Sequence, residues 1–238
     1  MSSTGVCFDI GIQTTQQLEL YQRCGSLSLL SELRESEGND DRAGNGALMR
    51  LAPVVIKYHT DPSQTLNAAA LNAQLTHPDQ RCVDANRVLT YLMIKSLDCP
   101  CKKTLLDAQS ITTALGQLDP EASFIIEGSY RSPHRLDVLS TGYAIDSLEA
   151  ALWAFYNSES FEEGAKLAVN LGGDADTIGA IYGQLAGAFW GYNAIPHNWV
   201  KNLYQYEKII LMADLLAQGF TEEYFETLSR AVDVATTL

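Results

Sequence analysis

Positive charge is scarce in this sequence. Its 238 residues hold 16 Lys and Arg against 29 Asp and Glu, which gives a formal net charge of −13 at pH 7. A surface that binds nucleic acid needs clustered Lys and Arg to neutralise phosphates. The charge balance therefore argues against a nucleic-acid partner.

Cysteine is also sparse, with five scattered residues: Cys7, Cys24, Cys82, Cys99 and Cys101. Their number is odd, and no second closely spaced pair exists to complete a zinc site with the last two. We therefore predict reduced thiols in a reducing compartment.

Long apolar runs are missing. The longest, residues 178–190, is rich in glycine and shorter than the roughly 20 residues that cross a bilayer. The N-terminus is polar and lacks the basic-then-apolar order of a signal peptide. We therefore expect a cytoplasmic protein with no membrane partner.

Helical patterns dominate what is present. Asp61 followed by Pro62 is typical of an N-cap and a first helical position, and the Ala- and Leu-rich run that follows is predicted to end at Pro78. Apolar residues at helical spacing predict two further helices, over residues 84–97 and 141–156.

The C-terminal half continues this pattern. Ser160 and Glu163 fit a capping box. A helix is predicted from Thr177 onward, and two more over residues 199–218 and 221–234. Glycines recur every four residues along the helix from Thr177, which predicts that a neighbouring helix approaches closely. These glycines are Gly179, Gly183, Gly187 and Gly191.

Strand patterns are lacking, because no stretch alternates polar and apolar residues between hairpin turns. The polar, glycine-containing segment 34–46 is predicted to be a loop, and residues 119–135 are predicted to be another. We therefore predict a single all-α domain, compact and multi-helical, over residues 1–238.

The most informative segment is Leu171-Gly172-Gly173-Asp174-Ala175-Asp176-Thr177. Its two carboxylates and hydroxyl are hard oxygen ligands of the kind that hold Mg²⁺, Mn²⁺ or Ca²⁺. Residues two apart do not share a helix face, so the two carboxylates converge only if Asp174 lies in the loop, where the glycines allow a bend. The alternative is that Asp176 is a helix N-cap, which explains Asp174 less well.

Four segments resemble the ADP-ribosylglycohydrolase family: residues 2–11, 44–53, 141–143 with 148–154, and 170–191. They cover nearly the whole chain in the expected order. The resemblance implies a compact all-helical fold around a cleft that holds two divalent cations, usually Mg²⁺ or Mn²⁺. It also implies cleavage of the bond at ribose C1″, with ADP-ribose or an ADP-ribosylated protein as partner.

The resemblance also implies roles for individual residues. The metal ligands would be Asp174, Asp176 and Thr177, and the two carboxylates would also be the catalytic groups. Substrate-binding residues would be Ser3, Thr4 and Gly5 near the phosphates, Asn45 and Gly46 against the ribose and diphosphate, His77 near the substrate, and Tyr143 at the adenine.

Each of these roles has a structural alternative. Asn45 and Gly46 could form only a tight turn, Tyr143 could be half-buried packing at a helix start, and His77 could be structural. Arg50 could bind the diphosphate in a bidentate manner or pair with an acid such as Asp9.

The sequence departs from the family pattern at its start. The family's Gly-Asp and Thr-Asp-Asp-Thr elements supply further metal ligands and precede the Ser-Thr-Gly segment, whereas this sequence begins with that segment and contains no Thr-Asp-Asp-Thr. We therefore expect an N-terminally truncated member that holds one cation weakly and hydrolyses poorly. The alternatives are a fragment of a longer glycohydrolase, a non-catalytic ADP-ribose-binding or structural module, and an oligomer or a complex with a complementing chain.

Overall fold

The computed structural model describes residues 10–25, 43–99 and 101–219, which form twelve α-helices and four short 3-10 turns. The helices are α1 (Ile12–Cys24), α2 (Ala52–Tyr58), α3 (Pro62–Thr76), α4 (Gln80–Ser96), α5 (Lys102–Leu105), α6 (Ala108–Leu115), α7 (Pro120–Glu127), α8 (Ala144–Tyr156), α9 (Phe161–Val169), α10 (Ala175–Trp190), α11 (His197–Asn202) and α12 (Tyr206–Gln218). The 3-10 turns are Asn45–Ala47, Ser129–Arg131, Arg135–Asp137 and Tyr192–Ala194. Across the described ranges, β pairing is limited to one isolated bridge between Gly44 and Tyr143, so the all-α prediction is confirmed.

The predicted N-caps of α3 and α9 are present. Asp61 accepts a hydrogen bond from the backbone N–H of Gln64 at 3.0 Å. Ser160 Oγ accepts one from the N–H of Glu163 at 3.2 Å, and the Glu163 carboxylate accepts one in return from the N–H of Glu159 at 2.7 Å. Local hydrogen bonds of this kind satisfy N–H groups that have no partner within the helix.

One predicted loop is wrong. Residues 119–135 contain α7 and the 3-10 turn Ser129–Arg131. The start of α7 repeats the pattern that identified α3, because Asp119 precedes Pro120 and its carboxylate accepts a hydrogen bond from the N–H of Glu121 at 2.9 Å. The Asp-Pro pair at residues 119 and 120 therefore marks the start of a helix, as it does at α3.

The predicted helix over residues 199–218 is also interrupted. It divides into α11 and α12, and Gln205 between them has a φ of 53°, which an uninterrupted right-handed helix does not contain. The predicted helix over residues 221–234 lies outside the described residues, as does most of the predicted loop 34–46.

The core is built around α4, α8 and α10. Leu89 and Leu92 of α4, Leu148 and Leu152 of α8, and Ile178 of α10 are all fully buried. Because these three helices pack against one another, the starts of α8 and α10 lie on the same framework. That framework positions the loops described below.

A half-buried lysine lies at the C-terminal end of α8. The Lys102 ammonium group donates hydrogen bonds to the carbonyl oxygens of Phe155, at 2.6 Å, and Ser158. It lies 4.8 Å from the centre of the Phe155 ring and 4.7 Å from that of Trp190. Burial lowers the pKa of Lys102. Its charge neutralises the negative end of the helix dipole.

The glycine series of α10 is less closely packed than predicted. A Cβ at Gly179 would lie 3.0 Å from Cγ1 of Val169 on α9, which is the expected close approach. Within the described residues, Gly183, Gly187 and Gly191 have no atom within 4 Å of such a position. Among the described helices, none combines the length and the apolar character needed to cross a membrane.

Candidate functional site

The loop before α10 depends on two glycines in the left-handed region. Gly172 and Gly173 have φ values of 79° and 57°, and a Cβ on Gly173 would overlap the carbonyl oxygen of Ser140. That carbonyl also accepts a hydrogen bond from the N–H of Asp174 at 3.2 Å. The glycines therefore let the loop pass directly against the segment that precedes α8.

Asp174 occupies the N-cap position of α10, but its side chain makes no capping hydrogen bond. Oδ2 of Asp174 instead accepts a hydrogen bond from Nδ2 of Asn45 at 2.6 Å. The same amide nitrogen donates to Oγ of Ser147 at 2.8 Å. The capping interpretation therefore fails for Asp174, and its carboxylate faces the Gly44-Asn45-Gly46 turn.

Backbone pairing joins this turn to the start of α8. The N–H of Asn45 donates to the carbonyl oxygen of Gly142 at 3.0 Å, and the N–H of Ala144 donates to that of Ala43 at 2.8 Å. A Cβ on Gly142 would lie 3.7 Å from Oδ2 of Asp174. The Gly44-Asn45-Gly46 turn, the residues before α8 and the loop before α10 therefore meet at one point, although they are far apart in sequence.

Ser147 belongs to this cluster, and sequence reasoning missed it. It is fully buried on α8, and its hydroxyl donates to the carbonyl oxygen of Thr141 at 2.9 Å while accepting from Asn45. The available signal was a serine between apolar residues of an otherwise buried helix face. A buried hydroxyl needs a partner, so such a position points to a polar contact.

The remaining two predicted metal ligands follow on the first turn of α10. Asp176 is exposed, and its Oδ1 accepts a hydrogen bond from the N–H of Thr177 at 2.9 Å. Asp176 therefore lies within the helix and is not its N-cap. Thr177 is buried, with Oγ1 3.8 Å from Sδ of Met49.

The donor chemistry of Asp174, Asp176 and Thr177 suits a hard cation such as Mg²⁺ or Mn²⁺. Within the ranges that the structure describes, no three or more His, Cys, Asp or Glu side chains are grouped so that they could hold a metal ion. The described carboxylates at this point are those of Asp174 and Asp176.

His77 packs behind the Gly-Asn-Gly turn. The histidine is buried, and its Nδ1 lies 2.7 Å from the hydroxyl of Thr76. A Cβ on Gly46 would lie 2.8 Å from Cε1 of His77, so glycine is required for this contact. The structure thus places His77 against the turn.

Arg50 supports the turn from the α3 side. Its guanidinium donates to the carbonyl oxygen of Gly46 at 3.0 Å, to that of Asn72 at 3.0 Å and to the hydroxyl of Thr76 at 2.6 Å. Burial lowers the pKa of Arg50. These contacts hold the carbonyl side of the turn. The alternative partner Asp9 lies outside the described residues.

Tyr143 is the half-buried N-cap residue of α8, and a charged network surrounds its hydroxyl. The hydroxyl accepts a hydrogen bond from Arg81 at 3.0 Å and donates one to Glu121 at 2.8 Å. The Arg81 guanidinium also lies 5.5 Å from the ring centre, and it pairs with Asp79 at 2.7 Å. Burial and the Glu121 carboxylate raise the pKa of Tyr143 to about 12.

The structure thus brings part of the predicted set of residues together. The structure brings Asn45 and Asp174 into contact, and it places Gly46 with His77 immediately beside them; Ser3, Thr4 and Gly5 lie outside the described residues. A separate cavity of about 560 Å³, lined in part by Tyr91 and Lys95, contains none of these residues.

Known proteins resemble this chain in sequence. The family model for ADP-ribosylglycohydrolase matches residues 1–225. An ADP-ribosylarginine hydrolase from Serratia proteamaculans is 33% identical over 94% of this chain and 58% of its own length. An ADP-ribosyl-[dinitrogen reductase] glycohydrolase from Rhodospirillum rubrum is 28% identical over 71% of this chain and 52% of its own length.

The fold is matched as well. A solved structure described as an ADP-ribosylglycohydrolase-related protein complex has a TM-score of 0.75 and 39% sequence identity, over 88% of this chain and 69% of that chain. The chain spans little more than half the length of the two curated relatives. Since the family model covers nearly all of its residues, the chain belongs to the ADP-ribosylglycohydrolase family.

Proposed function

We propose that this chain acts in the hydrolysis of the C1″ glycosidic bond of ADP-ribose conjugates. The observation that carries the proposal is the hydrogen bond between Asn45 and Asp174, which brings the Gly-Asn-Gly turn against the Gly-Gly-Asp loop. The N–H of Asn45 is bonded to the carbonyl oxygen of Gly142, so the turn acts on the carboxylate through the Asn45 side chain. A carboxylate beside it suits the sugar and water at the reacting carbon.

Mg²⁺ or Mn²⁺ is the proposed cofactor, with Asp174, Asp176 and Thr177 as the residues that would hold it. Two carboxylates and a hydroxyl match the hard oxygen donors these cations prefer, with water completing the coordination. A cation bound here would supply positive charge that polarises water and orients ribose hydroxyls. The Asn45 amide orients the Asp174 carboxylate, as hydrogen-bonded partners of metal-binding carboxylates do.

The side chains have separate tasks in this proposal. The carboxylate of Asp174 or Asp176 accepts a hydrogen bond from the attacking water and then its proton. As the water oxygen bonds to C1″ through an oxocarbenium-like transition state, the bond from C1″ to the leaving group breaks, and the leaving group departs with that electron pair and takes the proton from the carboxylate. Asn45 donates a hydrogen bond that keeps Asp174 turned toward the substrate and away from its own helix. The ring of Tyr143 would lie beside the adenine.

ADP-ribosylated arginine is the proposed substrate class, and an ADP-ribosylated protein is the proposed partner. The Serratia relative is named an ADP-ribosylarginine hydrolase, and its similarity extends over 94% of this chain. That relative is the basis for preferring arginine over other acceptors.

The test is release of ADP-ribose from an ADP-ribosylarginine peptide by the 238-residue chain, with Mn²⁺ or Mg²⁺ and with a chelator. We expect slow, metal-dependent turnover that Asp174→Asn lowers about 100-fold. Asp61→Asn is the matched control, because it makes the same change at the N-cap of α3 and Asn caps a helix as well as Asp does.

Turnover that is unaffected by Asp174→Asn would contradict the assigned role. Calorimetric binding of ADP-ribose without turnover, lost in Asp174→Asn, would support the non-catalytic ADP-ribose-binding alternative. A folded chain that neither binds nor hydrolyses would overturn both.

A further inference from the structure

The segment of residues 45–52 runs along one face of α10, in the same direction as the helix. Three side-chain contacts hold it there: Asn45 with Asp174, Met49 with Thr177, and Ala52 with Gln184. The helix positions 177 and 184 are seven apart and so share a face. The N-cap position 174 lies three residues before position 177. The order of the contacts along the segment follows their order along the helix.

Gln184 makes the strongest contacts at the far end of this segment. Its Oε1 accepts a hydrogen bond from the N–H of Ala52 at 2.6 Å, and its Nε2 donates to the carbonyl oxygen of Leu48 at 3.0 Å. Ala52 begins α2, whose N-cap residue Leu51 provides no capping side chain. Gln184 therefore supplies, from another helix, the acceptor that the first turn of α2 lacks.

The other polar side-chain contacts of the segment either join it to a different helix or are weak. Arg50 joins it to α3 through the carbonyl oxygen of Asn72 and the hydroxyl of Thr76. The contact between Met49 and Thr177 is a weak one, with sulfur 3.8 Å from the hydroxyl. Backbone pairing with residues 142–144 holds the Asn45 end of the segment. Toward the other end, Gln184 is the described side chain that joins the segment to α10, by hydrogen bonds of 2.6 and 3.0 Å.

We propose that Gln184 is a positioning residue that fixes the register of residues 45–52 on α10, so that the Asn45 amide reaches the Asp174 carboxylate. Gln184 lies ten residues after Asp174, about 15 Å along the helix, and acts on that carboxylate through the segment. The consequence for catalysis rests on the proposed function, whereas the hydrogen bond itself can be observed without it.

The experiment follows the side-chain amide signal of Asn45 by ¹H–¹⁵N NMR in the 238-residue chain, assigned by its disappearance in Asn45→Ser. The Asp174→Ala variant is the reference, because it shows where the Asn45 amide signal lies when the Asp174 carboxylate is absent. Gln184→Met removes the hydrogen bonds that Gln184 makes with Ala52 and Leu48. Gln184→Glu keeps the acceptor for Ala52 and removes the donor to Leu48.

We expect Gln184→Met to move the Asn45 signal most of the way to its position in Asp174→Ala, and Gln184→Glu to move it part of the way. Ser160→Ala, which removes the N-cap of α9, is the control for loss of stability alone and should leave the signal in place. An Asn45 signal unchanged in both Gln184 variants would overturn the proposal. If Gln184→Met does not fold, Gln184→Glu decides the question.

A kinetic readout separates this proposal from the proposed function. Where the wild-type chain turns over, Gln184→Met should lower kcat/KM roughly 10- to 100-fold, with partial recovery in Gln184→Glu and no change in Ser160→Ala. An Asn45 signal that moves in a chain without any turnover would support the positioning role and count against the proposed hydrolysis. Unchanged kcat/KM in a folded Gln184→Met variant would contradict the positioning role.

Discussion

The side-chain amide of Asn45 donates a hydrogen bond of 2.6 Å to Oδ2 of Asp174, a residue 129 positions later in the chain. Each partner lies in a glycine-containing turn that by itself has an ordinary structural explanation. Their contact places both turns in one polar cluster at the start of α10. Ser147 accepts a hydrogen bond from the same Asn45 amide, and His77 packs against Gly46.

Asn45→Ala should weaken ADP-ribose binding about tenfold, because the variant loses a hydrogen bond to a charged group and leaves the Asp174 carboxylate unoriented. The measurement is calorimetric titration of the 238-residue chain with ADP-ribose. Asn157→Ala is the matched control: its amide also donates two hydrogen bonds, to the carbonyl oxygens of Ser132 and Trp153. Equal affinities for Asn45→Ala and wild type would contradict the prediction.

Gly173→Ala should lower the free energy of unfolding by more than about 2 kcal/mol, since its Cβ would overlap the Ser140 carbonyl oxygen at a backbone φ of 57°. Gly172→Ala is the comparison. It has a similar positive φ of 79° but nothing within 4 Å among the described residues, so only about 1 kcal/mol of backbone strain is expected. Denaturant titration of both variants tests the difference, and equal losses would count against the close approach to Ser140.

Tyr143 should make stability depend on pH in the alkaline range. Burial and the Glu121 carboxylate raise its pKa to about 12 in the folded protein, whereas a tyrosine in the unfolded chain ionises near pH 10. The unfolded state therefore loses this proton first. The contribution of Tyr143 is complete below about pH 10 and is lost as the pH rises toward 12.

The difference in unfolding free energy between wild type and Tyr143→Phe, measured across this pH range, checks the prediction. Glu121→Gln removes the neighbouring charge and leaves the burial, so the loss of stability between about pH 10 and 12 should be smaller in this variant. A difference that stays constant from about pH 10 to pH 12 would show that the tyrosine is not perturbed in this way.

Local signals predicted α3, α4, α8, α9 and α10, because each signal depends on residues a few positions apart. The Asp-Pro pair before α3 and the Ser160–Glu163 capping box both produced the expected hydrogen bonds. The same Asp-Pro pattern was present before α7, within the residues 119–135 that were wrongly predicted to be a loop. The break at Gln205 had no comparable local signal, since its positive φ belongs to a residue other than glycine.

The sequence by itself determined the helical class, the family resemblance and the residues worth examining, because periodicity, caps and motifs are encoded in near neighbours. Only the tertiary structure decided what those residues contact. Asp174 has the sequence context of a helix cap, but the packing of α4, α8 and α10 brings Asn45 to it and turns its carboxylate away from its own helix. The partnerships of Ser147 and Gln184 likewise arise from chain segments more than a hundred residues apart, whose proximity no local pattern records.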